Sequence, residues 1–125
     1  MPAPNVAEPF RDTEQRALVC RVLCELVSLP GMWSAFGPTD RARDFLAKGR
    51  AGLTAGQGAY LSIAWDLWDG SRAAPGAPFT MRDVVEIVSG RYLRILGELL
   101  IAISEGFDSV DAWIHRHDGG MVPMP

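Results

Sequence analysis

Cysteine, histidine and lysine are scarce in this 125-residue chain, and each shortage narrows what the protein can be. Two cysteines, Cys20 and Cys24, are too few for a disulfide-built secreted scaffold, and both fall in one apolar-periodic run. With the two histidines, His115 and His117, they supply zinc-type ligands. The spacing matches no zinc-finger pattern, however, and histidines two apart on a helix point in different directions. The cysteines read as small core groups, and no metal or cofactor is expected. Lys48 is the only lysine among 12 basic residues. Heavy arginine and alanine use fits genome composition, with bidentate pairing at an interface as the alternative.

Long apolar runs are also missing. The longest, Tyr92 to Ile103, is interrupted by Arg94 and Glu98 and falls short of a membrane span. No sign of charge dominates: the net charge is −3, with seven basic and six acidic residues in 1–50 and five and nine in 51–125. That balance argues against sequence-independent nucleic-acid binding. Met1-Pro2-Ala3-Pro4-Asn5 lacks the basic start and apolar run of a signal peptide, so the cytoplasm is the expected compartment. Gly49, Gly52, Gly56 and Gly58 are dense, but no Lys-Ser/Thr follows and no strand precedes, so they do not make a phosphate loop.

What the chain does have is helix punctuation. Asp12 with Gln15, Thr54 with Gln57, Thr80 with Asp83 and Asp108 with Asp111 each place a capping residue three before a polar partner. Apolar-periodic runs follow and stop at glycine or proline. The pattern predicts a helix from about 13 to Ser28, a loop over Met32–Gly37 with Trp33 and Phe36 folded back on the core, and a helix from Pro38–Thr39 to Lys48. Further helices are expected from Thr54 to Asp69, from Thr80 to Val88, from Arg91 to Ser104, and from Asp108 to His115 or His117. With hydrophobic content of 48 %, this is a compact all-α single-domain bundle of five to six helices over residues 10–118. Residues 1–9 are expected as a flexible N-terminal arm, 119–125 as a flexible C-terminal tail, and Ser71–Phe79 as the longest internal loop.

The first and fifth helices carry only narrow polar stripes, Arg21 with Glu25 and Arg91 with Arg94 and Glu98. Both are expected to be central, yet two such helices are hard to bury in so small a domain. The surplus apolar surface points to a protein partner or self-association as a homodimer, unless the two helices pack back to back under the shorter ones.

Trp65-Asp66-Leu67-Trp68-Asp69-Gly70 is the densest constellation. Trp65 and Trp68 share one face, and Asp66 and Asp69 an adjacent one. As a function this is an aromatic anchor with acidic rims; as packing it is a core tryptophan pair beside solvated carboxylates. Nothing gives Asp66 and Asp69 the separate environments that an acid–base pair needs. His115-Arg116-His117 complements the dipole of the last helix. Arg41, Arg43, Lys48 and Arg50, interleaved with Asp40 and Asp44, read as a solvated mixed-charge face.

The leading expectation is a small non-enzymatic interaction protein, a regulator, adaptor or inhibitor working through an apolar helical face. One alternative is a DNA-binding regulator with a helix-turn-helix-like segment at 80–96, contacting DNA through Arg91 and Arg94. The largely Leu/Ile reading helix weighs against it. Another is a small-molecule binder or enzyme with a pocket lined by Trp65, Trp68 and Tyr92.

Overall fold

A computed structural model describes residues 8–48, 52–69, 81–88 and 90–118. The expected tail 119–125, the loop 71–79 and most of the arm 1–9 lie outside these residues, as do Gly49, Gly70 and Ser89.

Asp12 starts α1 (Thr13–Leu26) by accepting the Gln15 N–H on Oδ1 at 2.8 Å. The return bond of a capping box is shifted by one residue, because Gln15 Oε1 accepts the N–H of Arg11 at 2.7 Å. Gln15 is buried, and its Nε2 donates to Phe107 O at 3.0 Å and to Asp111 Oδ1 at 2.8 Å. A helix cap therefore doubles as a clasp on the far end of the chain. At the other end, Ser28 takes a left-handed φ of 63° and donates to Glu25 O at 3.0 Å, while Leu29 N–H reaches Cys24 O at 2.9 Å. This is the double bond pattern that closes a Schellman motif, with serine where glycine is usual.

Two short strands follow, β1 (Trp33–Ser34) and β2 (Gly37–Pro38), antiparallel with Trp33 opposite Pro38 and Ser34 opposite Gly37. The loop expected over Met32–Gly37 is thus a hairpin. Trp33 does fold into the core, but Phe36 at the hairpin tip stays 93 % exposed. Thr39 precedes α2 (Asp40–Ala47) and spends its hydroxyl on Gly31 O at 2.6 Å, not on the helix. Thr54 and Gln57 form the complete reciprocal box at 3.1 Å each way before α3 (Ala55–Asp69). α4 (Met81–Ile87), α5 (Gly90–Glu105) and α6 (Phe107–His117) complete six helices among the described residues. Gly106 precedes α6 without a side-chain cap, and Asp108 sits inside its first turn.

The core gathers around α1, which packs on α3, α6 and the hairpin. Leu23, Leu26, Val19 and Val22 are fully enclosed with Tyr60, Leu61, Leu99 and Trp113. Three polar groups tie the helices together. The Cys20 thiol donates to Ala64 O at 3.2 Å, Tyr60 OH donates to Tyr92 O, and Trp113 Nε1 donates to Ile95 O at 3.1 Å. On the surface Arg21 meets Glu25 at 3.5 Å and Asp118 at 3.1 Å. α1 is central, as expected; α5 is not, and it keeps one apolar face uncovered.

Candidate functional site

The uncovered face follows from helical geometry. At 100° per residue, Ile95, Leu96, Leu99 and Ala102 of α5 turn inward and are buried. Leu93, Gly97, Leu100, Ile101 and Ser104 fall on the opposite side. Leu100 is 50 % and Ile101 58 % exposed. α4 has the same problem in one short helix: Val84 is buried, while Met81 at 68 % and Val85 at 54 % are open.

Between α3, α4 and α5 runs a groove of about 330 Å³. Ile63 and Leu67 supply its α3 wall, Met81 and Val84 its α4 wall, and Leu93, Leu96, Gly97 and Leu100 its α5 wall. Asp66 is the single carboxylate on that lining. Partial burial pushes its pKa up, and it has no ion-pair or hydrogen-bond partner among the described residues. A carboxylate placed this way lacks both full hydration and a counter-charge. Gly97 leaves the α5 backbone open, since a Cβ there would meet nothing within 4 Å.

The residues singled out in the sequence separate. Trp65 and Trp68 are half-buried and pack edge-on against the buried Trp33, with centroids 5.9 and 6.5 Å away. The Arg16 guanidinium lies 4.6 Å above the Trp68 ring. The pair is chiefly a packing element, and it is Asp66 and Leu67 of this motif that line the groove. The side chain of Asp69 lies outside the described set. Trp33 Nε1 is buried without a hydrogen-bond partner among the described residues.

Arg91 and Arg94 are both exposed on α5. Arg91 lies 5.8 Å over the Tyr92 ring, and Arg94 has no ion-pair partner among the described residues. The surface beside them is Leu93, Gly97 and Ile101, which offers little to phosphates or base edges. Tyr92 lines a second cavity of about 270 Å³ with Tyr60, Gln57, Thr54 and Ser28, and neither Trp65 nor Trp68 belongs to it.

Cys20 and Cys24 are free and buried, and burial raises both thiol pKa values. Among the described residues no group of three or more His, Cys, Asp or Glu side chains is placed to hold a metal ion. His117 is half-buried, packs tilted at 56° against the Trp113 ring with centroids 5.1 Å apart, and sets Nε2 3.5 Å from Glu98 Oε1 without hydrogen-bond alignment among the described residues. Burial lowers its pKa. No helix among the described residues is long and apolar enough to cross a membrane.

The groove itself was missed from sequence. Its only sequence signal is that α5 holds more apolar residues than one buried face requires. No protein-family model, curated protein or solved structure matches this chain.

Proposed function

We propose that this chain is a small protein-interaction module of the cytoplasm, a regulator, adaptor or inhibitor that acts by pairing an apolar helical face with another protein surface rather than by catalysis. The observation that carries the reading is the open apolar surface of α4 and α5: Met81 and Leu100 stand exposed on the lining of a groove that is apolar except for Asp66, and Val85 and Ile101 are exposed on the same two helices. Contiguous exposed apolar surface of this kind marks interaction sites in stable folds. Flexible apolar side chains such as Met81 and Leu100, set around a preformed groove, suit a packed helix.

Site-specific photo-cross-linking in the native host tests the reading. A cross-linking residue at position 100 should trap a protein, and the same group on α1 in place of the exposed Glu14 should not. Gly97→Arg, which fills the groove, should abolish the adduct. Absence of any adduct at position 100 overturns the proposal.

A further inference from the structure

We infer that the partner filling this groove is an amphipathic helix that carries one arginine or lysine within its apolar face, with that cation paired to Asp66. The inference rests on the interaction reading above and names the chemistry of the partner.

The charge on the groove wall selects this occupant. Asp66 is half-buried, is the single charged group on the lining, and has no ion-pair or hydrogen-bond partner among the described residues. A wholly apolar partner would strip its remaining water and leave the carboxylate buried and unpaired, which is costly. An acidic partner would add repulsion. An arginine or lysine does neither: its methylene stem lies along leucine side chains while its head reaches the carboxylate.

The chain's own cations are engaged elsewhere or turned away. Among the described residues no lysine, arginine or histidine lines the groove. Arg82 of α4 is held by Glu86 at 3.0 Å, and Arg91 of α5 lies over the Tyr92 ring. Arg94 projects about 100° around the α5 axis from Leu93, away from the lining. The counter-charge is therefore left for the partner to supply.

The α5 wall has the dimensions of a helix contact. Leu93, Leu96, Gly97 and Leu100 form an i, i+3, i+4, i+7 stripe. It is about 10 Å long, two turns of helix, which matches the anchor spacing of a helix laid into a groove. The volume of about 330 Å³ takes a few apolar side chains of such a helix, not its backbone. Gly97 leaves a notch in mid-stripe, since even a Cβ there would meet nothing within 4 Å.

Host–guest peptides test this. The probe is an end-blocked peptide of about 18 residues, long enough to hold a helix, with leucine at i, i+3 and i+7 and the guest at i+4. The guests are arginine, citrulline (its uncharged near-isostere) and glutamate, and fluorescence anisotropy reads the affinity. The arginine peptide should bind with a Kd below about 100 µM and at least about fivefold more tightly than the citrulline peptide, with glutamate weakest. Asp66→Asn, which keeps the size of the side chain, should equalise arginine and citrulline. Asp66→Lys should reverse the order, with glutamate tightest, and both variants should keep the wild-type far-UV spectrum. Gly97→Arg should abolish binding of all three. Equal affinity for arginine and citrulline, an arginine preference that survives Asp66→Asn, or no binding up to about 1 mM overturns the inference. So does a wild-type dimer that Gly97→Arg dissociates, because the groove is then filled by a second copy. The two proposals fail separately: peptide results of any of these kinds, with position 100 still cross-linking to another protein, overturn the cationic helix alone, and absence of the cross-link as well overturns both.

Discussion

The backbone of Gly37 lies against the indole of Trp68 so closely that a Cβ on Gly37 would fall 2.7 Å from Trp68 Cζ2. Gly37 also has a φ of 131°, a conformation that side-chain-bearing residues avoid. The hairpin is therefore clamped between its own Trp33 and the end of α3. Gly37→Ala should lower folding stability by about 2–4 kcal/mol, from the strained φ and the steric overlap together. Urea denaturation measures the loss, and near-UV circular dichroism should show the Trp33–Trp65–Trp68 cluster loosening. A cost under about 0.5 kcal/mol would fit an ordinary surface substitution and contradict the clamp.

Gly97 should respond in the opposite way. With no positive φ and open space around its Cβ position, Gly97→Ala should raise the stability of dilute protein by about 0.5–1 kcal/mol. Thermal melts at low concentration separate this helix effect from any effect on association. A destabilised Gly97→Ala variant would mean that the α5 backbone packs against something in the folded monomer.

Ser28 closes α1 in the left-handed region with φ 63°, and it is exposed. Glycine adopts that conformation without a Cβ penalty, so Ser28→Gly should stabilise the fold by about 0.5–1 kcal/mol while keeping the Leu29-to-Cys24 bond. The shift in urea midpoint gives the value; a loss of stability would show that the Ser28 side chain contributes more than its backbone costs.

Cys20 and Cys24 are enclosed, and burial holds both thiols protonated well above neutral pH. A thiolate-directed reagent should leave native protein unmodified and label both residues only as fast as the chain opens. Denaturant at the urea midpoint should therefore accelerate labelling sharply. Rapid stoichiometric labelling of native protein would contradict the enclosed α1–α3 contact.

His117 gives stability a pH dependence near neutrality. Burial depresses its folded pKa, against a partial opposing effect of Glu98. The unfolded chain then binds the proton more readily. Stability is held above the unfolded imidazole pKa of about 6.5 and lost as pH falls through the lower folded value. Urea midpoints at about pH 7.5 and 5.5 should show the loss in wild type and a smaller one in His117→Phe, which keeps a ring against Trp113. Equal losses in both proteins would remove His117 as the source.

Helix starts were legible because they are local. Asp12, Thr54 and their glutamine partners lie within one turn of the N–H groups they satisfy, so spacing alone identifies them. The hairpin was not legible. Two residues per strand carry no periodicity, and the Trp33–Gly37 turn is held by Trp68, a residue far away in sequence. The tryptophan pair was visible as a pair, but its neighbour Trp33 belongs to another element, so its packing role could not be read from spacing.

The same division holds for the candidate surface. The sequence by itself determined that the chain is helical and where most helices begin, and it left open whether two largely apolar helices could both be enclosed in one small core. Only the tertiary structure decided which face stays outside. α1 takes the centre because α3, α6 and the hairpin all pack on it, and α5, joined mainly to α6, keeps one side open. Helical periodicity reports how wide an apolar face is, but whether that face meets protein or solvent depends on long-range packing.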